Sequence, residues 1–272
     1  MQVTLLGTGD TTGTPTPGCD CATCREAARR GVARSRFSVH VQNEVAGASL
    51  LIDASPDFRT QFLTQEVPLP DEAVITHIHF DHLDGLGNAY RLLDRLTVHA
   101  ADETDPRTGE SVAETVSRKY DYLDRVTVAA HAPMERFEAA GLRVTLVPVD
   151  HPPLLCYGVV VEQGGRKVAI TGDTSFAIPE QTCEHLADAD LLLADGILPA
   201  EACQHHPLGG MHENEAGVPR TFGTKHMTRE GALDLVDRLD PERFRIVHAS
   251  HHYPPDEAFD ADIAVDGETF EL

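Results

Sequence analysis

The sequence predicts an α/β (α+β) fold in which two mixed β-sheets pack face to face with helices outside. Two patterns point there. Short β-type runs recur along the whole chain, and fewer helical patterns trail them, with strands leading each portion. A sheet must bury a face, and this order does so by stacking two sheets and covering their outer surfaces with helices. A third feature draws attention to one loop: Thr76-His77-Ile78-His79-Phe80-Asp81-His82 directly follows the apolar Ala73-Val74-Ile75.

The strand signals are Val3–Leu6, Phe37–Val41, Ser49–Ile52, Val74–Thr76, Thr97–His99, Arg125–Ala129, Leu142–Val147, Tyr157–Glu162, Lys167–Thr171, Leu191–Leu193 and Arg245–Val247, all short and rich in β-branched or aliphatic residues. Helical spacing falls at Cys21–Arg30, Pro56–Gln65, Gly85–Asp94, Glu110–Leu123, Ile178–Ala187 and Thr228–Leu239. The last has Thr228 as a cap and Glu230 in its positive first turn. Residues 196–226 are rich in Gly, Pro and His and weakly patterned, so they read as a long functional loop. No internal repeat or low-complexity tract is present.

Composition bounds the function. With 272 residues and 41% hydrophobic content, the chain can bury a large core without disulfides. Apolar runs such as Leu191-Leu192-Leu193-Ala194 are far too short to span a bilayer, and residues 1–6 read as a strand rather than a secretion signal, so a cytoplasmic location and no membrane partner are expected. Asp plus Glu number 44 against 22 Lys plus Arg, giving a formal charge of −22. Such a surface, with Lys119, Lys167 and Lys225 as the only lysines, fits either adaptation to high salt or an ordinary acidic enzyme. Either way it weighs against broad contact with a nucleic-acid backbone. Cys19, Cys21 and Cys24 cluster while Cys156, Cys183 and Cys203 are scattered; clustered thiols in a cytosolic chain are more often metal ligands than disulfides.

The chemistry concentrates in the His-rich loop. Three imidazoles and one carboxylate fall within His77–His82, and a loop leaving a strand can aim such neighbours at two adjacent divalent cations. Four further residues lie at strand ends or helix starts: His151 just past a strand ending near Val149, Asp173 after the turn-forming Gly172, His226 before the Thr228 cap, and His248 after Ile246-Val247. Taken singly, each suits a structural role. Together with the His-rich loop they supply more potential metal or acid-base residues than coincidence would place there.

At these residues the sequence resembles the metallo-β-lactamase superfamily, whose signature is an HxHxDH loop followed by a His, a bridging Asp and a last His. The resemblance covers essentially the whole chain and implies one domain, 1–272, built as an αββα sandwich with metals at one edge. It implies that His77, His79 and His151 hold one metal, that Asp81, His82 and His248 hold the other, and that Asp173 lies between them. Two such metals about 3.5–4 Å apart share a hydroxide placed for in-line attack on phosphorus and offset charge on the phosphoryl oxygens. Asp53, in Leu51-Ile52-Asp53-Ala54, is similar to the superfamily's strand-end Asp and is expected to support a ligand rather than bind metal.

The N-terminus narrows the resemblance. Gly7-Thr8-Gly9, Gly13-Thr14-Pro15 and Gly18-Cys19-Asp20-Cys21-Ala22-Thr23-Cys24 are similar to the opening of the PhnP group of cyclic-phosphate phosphodiesterases, which belong to phosphonate metabolism. That likeness implies a structural zinc on Cys19, Cys21, Cys24 and His251, a closed tetrahedral site. Free thiols, or His252 in place of His251, are the alternatives. It also implies that His226 is the general acid, with Asp81 the second residue assigned to catalysis. Cys156, Cys183 and Cys203 are expected to be buried bystanders, and His205, His206 and His212 to face solvent or substrate phosphate.

The implied function is hydrolysis of a small cyclic phosphodiester, such as 5-phospho-α-D-ribose 1,2-cyclic phosphate, at two divalent metal ions, manganese or zinc. The alternatives are a tRNase Z-type RNA phosphodiesterase, which would need a basic arm, a PqqB-like protein of quinone cofactor biosynthesis, and a degenerate metal-binding scaffold. The resemblance allows a homodimer, for which composition shows no interface.

Overall fold

The structure is a computed structural model and describes residues 1–204, 211–213, 219–223 and 225–272. In chain order the elements are β1 (Gln2–Gly7), α1 (Ala22–Arg30), β2 (Ser38–Asn43), β3 (Ala48–Ile52), α2 (Phe58–Gln65), β4 (Glu72–Ile75), α3 (Phe80–Leu83), a 3₁₀ segment (Asp84–Asn88), α4 (Ala89–Leu92), β5 (Leu96–Ala101), α5 (Val112–Lys119) and β6 (Val126–His131). They continue with β7 (Arg136–Ala139), β8 (Leu142–His151), β9 (Leu154–Gln163), β10 (Arg166–Ile170), α6 (Glu180–Leu186), β11 (Leu191–Asp195), α7 (Ala200–Cys203), β12 (Met211–Glu213), β13 (Pro219–Phe222), β14 (His226–Met227), α8 (Arg229–Leu239), β15 (Phe244–Val247) and β16 (Thr269–Glu271).

Two sheets stack. The first runs β16-β1-β2-β3-β4-β5-β6 and the second β15-β11-β10-β9-β8-β7; a small third sheet, β12-β13-β14, lies apart from them. Each large sheet is mixed, as expected: β3 to β6 are mutually parallel, as are β10, β11 and β15, while the remaining pairs are antiparallel.

Strand alternation shows why the layers stack. Val168, Ile170, Leu191 and Leu193 point between the sheets, into one core with Val39, Val41, Leu50 and Ile52. Their neighbours Ala169, Leu192 and Ala194 point outward, into a second core with Leu186 of α6 and Ala232, Leu235 and Leu239 of α8. These central strands are buried on both faces, which is why they read as continuous apolar runs. Each fully buried Leu or Ile contributes about 1.5–3 kcal/mol. The first sheet is covered by Phe58 and Phe62 of α2 and by Val112 and Val116 of α5. A reciprocal cap starts α5: Ser111 Oγ accepts the Glu114 N–H (3.1 Å) while the Glu114 carboxylate accepts the Ser111 N–H (2.8 Å).

Several expectations need correction. The helix expected over Gly85–Asp94 is a 3₁₀ segment and one turn of α4. Gly85 presses its N–H on the Ala54 carbonyl (2.8 Å), and a Cβ there would sit 2.0 Å from the Ser55 carbonyl oxygen, so backbone contact overrides helical spacing. The segment 196–226 is not a bare loop, since α7, β12 and β13 lie within it. His151 is the last residue of β8 rather than a residue beyond it. Among the described residues no helix is long and apolar enough to cross a membrane.

Candidate metal centre

The carboxyl ends of the parallel strands β4, β10, β11 and β15 deliver most of the site, the usual place for ligands in such sheets. After β4, Thr76 is clamped by buried Asp53: Oδ1 accepts its N–H (2.8 Å) and Oδ2 its hydroxyl (2.7 Å). Asp53 follows β3 in a left-handed conformation (φ 58°), which aspartate tolerates better than most residues. The chain turns at His79 into α3, and the His82 N–H closes on the His79 carbonyl (3.1 Å). That single turn folds Asp81 and His82 back beside His77 and His79. Beyond β10, Gly172 at φ 63° has no room for a Cβ, which would lie 2.8 Å from the Tyr157 carbonyl oxygen; the tight turn places Asp173. Beyond β15, His248 is itself left-handed at φ 60°.

All seven residues expected in a dinuclear ligand set come together. Donor atoms of His77, His79, His151 and Asp173 lie within 4.8 Å of one another, and so do those of Asp81, His82 and His248. Asp173 Oδ2 is the shared point, 3.2 Å from His82 Nε2, 3.5 Å from His248 Nε2 and 3.6 Å from His77 Nε2. His77 and His82 are fully buried, and His79 is partly open.

The hydrogen bonds fix which nitrogens face inward. The Lys225 carbonyl, a pure acceptor, takes the His151 Nδ1–H (2.9 Å), which leaves Nε2 as a lone pair aimed at His79 Nδ1 (3.2 Å). His79 Nδ1 also faces His77 Nε2 at 2.9 Å. Asp53 accepts from His82 Nδ1 (2.6 Å), so His82 Nε2 points at Asp173, and both His82 Nε2 and His248 Nε2 are buried without a hydrogen-bond partner. Lone pairs converging from His79 and His151, with His82 Nε2 and His248 Nε2 aimed at one shared carboxylate, are an arrangement that a divalent cation satisfies. The donor set is therefore a fit for divalent metal.

Electrostatics divide the cluster. Burial, chiefly, drives His77 well below the usual imidazole range and His151 down to about 3, so this side presents neutral imidazoles. At His82 and His248 burial acts in the same direction, but the carboxylates of Asp173, Asp53, Asp81 and Asp195 outweigh it. His82 is pushed well above its usual value and His248 up to about 9. Burial would raise Asp81 and Asp173, yet the facing imidazoles hold both well below the ordinary carboxylate range. Protons are thus favoured on the His82–His248 side, where a bound metal would displace them.

His226 borders the cluster. Its ring stacks on His248 (centroids 4.8 Å, 10°) and meets His151 edge-on at 4.9 Å. Its donor atom also converges with Asp173 and His248, so it could ligate a metal as well as supply a proton. The residue that orients it, Asp195, was not among those singled out in the sequence. Asp195 is buried; its Oδ2 accepts the Thr174 N–H (2.9 Å) and faces His226 Nδ1 at 3.0 Å, while Oδ1 lies 3.8 Å from His248 Nδ1. A carboxylate closing the apolar run Leu191-Leu192-Leu193-Ala194 was the available signal.

The cysteine cluster forms separately. Cys19, Cys21 and Cys24 bring their sulfurs together with His251, whose Nδ1 is 3.4 Å from Cys19 Sγ and 3.5 Å from Cys21 Sγ; His252 is not in this group. Cys21 Sγ also caps α1 by accepting the Cys24 N–H (3.3 Å). Burial works against its thiolate, but hydrogen bonds from His251 and Cys24 prevail and bring it to about 6. Cys156, Cys183 and Cys203 are buried, as expected. His205 and His206 lie outside the described residues, and of His212 only the backbone is described.

A stacked pair of mixed sheets with a His/Asp cluster at the strand ends defines the metallo-β-lactamase class. The β-lactamase superfamily domain matches residues 49–249, and the chain belongs to that superfamily. Among curated proteins it is 28% identical over 263 residues to an octanoyltransferase of Porphyromonas gingivalis (strain ATCC BAA-308 / W83), covering 93% of this chain but 47% of that longer protein. Among solved structures it resembles a diphosphatase of the PhnP family (28% identity, TM-score 0.77, covering 100% of this chain and 97% of the other). It is also similar to zinc-bound PqqB of Methylobacterium extorquens (25% identity, TM-score 0.78, covering 100% of both).

Proposed function

We propose that this protein is a metal-dependent phosphodiesterase acting on a small cyclic phosphate, such as 5-phosphoribosyl 1,2-cyclic phosphate. The observation that carries the reading is a complete ligand set with an imidazole, His226, held beside it by Asp195. His77, His79 and His151 would hold one cation and Asp81, His82 and His248 the other, with Asp173 serving both. Bound there, divalent manganese or zinc would acidify water and offset negative charge on the phosphoryl oxygens. His226 then gives its proton to the departing alkoxide oxygen, and Asp195 fixes the ring so that the remaining nitrogen faces the cluster. Resemblance to a PhnP-family diphosphatase favours phosphorus chemistry, and resemblance to PqqB favours a second reading, a cofactor-biosynthesis role at a single metal. The octanoyl transfer named for the longer relative does not enter, because this chain spans less than half of that protein.

The test is His226→Ala. Turnover of the cyclic phosphate should fall about 10²–10⁴-fold, the usual range for a lost general acid, with metal content per chain preserved. Loss of a metal equivalent would make His226 a ligand instead, and full activity would remove it from the mechanism.

A further inference from the structure

The two large sheets end at four edge strands, and three of these are guarded. β7 carries Arg136 and Glu138, β16 is three residues long and includes Glu271, and β15 carries Arg245 and is bridged at Ile246 to Ile263. Charges, short length and covering segments are the devices that keep an edge strand from pairing with another chain. β6 has none of them. Its six residues, Val126-Thr127-Val128-Ala129-Ala130-His131, include no Asp, Glu, Lys, Arg or Pro, and among the described residues it pairs with β5 alone. The carbonyls of Arg125 and His131 turn inward, accepting the Leu96 N–H (2.7 Å) and the Asp102 N–H (2.8 Å). By the alternation of a strand, Val128 and Ala130 then direct their N–H and C=O groups outward, and Ala130 is exposed.

A groove of about 250 Å³ lies against this strand, lined by Val116 of α5, Tyr120, Val126 and Val128, with Asp121 and Asp124 on it just before β6 begins. Tyr122 is exposed, its ring centroid 6.3 Å from that of Tyr120. The cations next in sequence are bound elsewhere: Arg118 to Glu110 (2.9 Å), Lys119 to Asp84, and Arg125 to the Leu93 carbonyl (2.9 Å). Asp121 and Asp124 have no ion pair among the described residues. We infer that β6 is a docking edge for an extended, basic segment of another protein. That segment adds as a further strand of the seven-stranded sheet, sets alternate aliphatic side chains into the groove and places Lys or Arg against Asp121 and Asp124. Main-chain hydrogen bonds supply the affinity, and the groove and carboxylates the selectivity. A second copy of this chain suits the edge less well, since it would set another pair of these aspartates, and another charge of −22, beside the first. None of these residues belongs to the metal clusters, so the surface stands apart from the reaction proposed there.

The experiment titrates the full metal-loaded chain into three fluorescent peptides: Lys-Lys-Val-Thr-Val-Thr-Val-Thr, the same peptide with Glu-Glu in place of Lys-Lys, and the basic peptide with every Val and Thr amide N-methylated. The last keeps charge and side chains but cannot donate to a strand. By anisotropy the basic peptide should bind about 10-fold more tightly than either control. Ala130→Pro removes one outward N–H, leaves the inward ladder intact and should weaken that binding about 10-fold. Replacing both surface carboxylates, Asp121→Lys with Asp124→Lys, should reverse the preference between the Lys-Lys and Glu-Glu peptides with an unchanged circular dichroism spectrum. This pair keeps the test decisive if Ala130→Pro does not fold. The inference is overturned if no peptide binds, if the N-methylated peptide binds as well as its parent, if folded Ala130→Pro binds undiminished, or if the double variant keeps the wild-type charge preference. A concentration-dependent dimer in sedimentation that Ala130→Pro dissolves would assign the edge to a second copy and overturn it too.

Discussion

Asp53 touches no substrate, yet its replacement by Asn should cripple one half of the metal centre. The carboxylate is fully buried and serves three donors: the Thr76 N–H, the Thr76 hydroxyl and His82 Nδ1, at 2.8, 2.7 and 2.6 Å. Asparagine keeps the shape and suits the left-handed backbone, so Asp53→Asn isolates the hydrogen-bond pattern. An amide has one acceptor oxygen. If that oxygen keeps the Thr76 N–H, the NH₂ faces His82 Nδ1 and forces it to accept, which moves the ring proton to Nε2, the atom that must bind metal. Outer partners of metal-binding histidines are typically worth 10–100-fold in affinity, about 1.4–2.8 kcal/mol at roughly 1.4 kcal/mol per decade. The Thr76 hydroxyl can turn to accept the new amide N–H, so the loss of fold stability is that of two charge-assisted bonds becoming neutral ones, about 1 kcal/mol. Competition against a chromophoric chelator measures the first effect, and denaturation of metal-free protein the second. Metal affinity on the Asp81–His82–His248 side should weaken while metal content at Cys19, Cys21, Cys24 and His251 is unchanged. Wild-type affinity for both metals in folded Asp53→Asn would refute the tautomer argument.

His40 is buried on β2, edge-on to Phe62, with Nε2 unpartnered; burial, only partly offset by the Pro68 backbone and Asp71, lowers it to about 4. Because its folded value lies below the unfolded 6.5, its neutral form favours folding above that pH, and the benefit is lost as pH falls toward 4, about 2 kcal/mol by pH 5. His40→Leu should therefore lose less stability than wild type between pH 7 and pH 5 in urea titrations, and an identical loss would contradict the buried neutral ring. At the cysteine cluster, Cys24→Ser should abolish one tightly held zinc per chain by elemental analysis and cost stability on the scale of a native disulfide, about 2–5 kcal/mol. Unchanged zinc content would remove the thiols from that role.

The ligand set was legible because each member closes or follows a buried apolar strand, and strand ends are readable in a single sequence. His77 after Ala73-Val74-Ile75, Asp173 after Lys167–Thr171 and His248 after Ile246-Val247 all show it. Less legible were features set by contact between distant segments. Gly85–Asp94 has helical spacing, but Gly85 is drawn against Ala54 and Ser55 across 30 residues of chain. Asp195 closes an apolar strand just as the ligands do, but its role shows only after folding brings His226 and His248 to it. The split in protonation between neighbouring histidines is invisible in sequence too: burial dominates at His77, whereas folding sets His82 between the two carboxylates of Asp173 and Asp53, which outweigh it.

The two clusters are mechanically coupled. A histidine at φ 60° costs on the order of 1–2 kcal/mol and persists only if its surroundings hold it. Around His248 the restraints are specific: the Ala249 N–H bonds the Thr8 carbonyl (3.1 Å), Ser250 binds the Ile197 carbonyl through both N–H and hydroxyl (2.9 and 2.7 Å), and the Tyr253 hydroxyl donates to the Gly196 carbonyl (2.8 Å). Those last two carbonyls immediately follow Asp195. On the other side, the Tyr253 carbonyl accepts from Thr23 (2.6 Å) and His251 meets Cys19 and Cys21. The N-terminal cysteine loop thus clamps the segment that positions both a metal-facing histidine and, through residues 195–197, the carboxylate that orients His226. A closed metal site with no open coordination position would serve catalysis here by holding that geometry rigid.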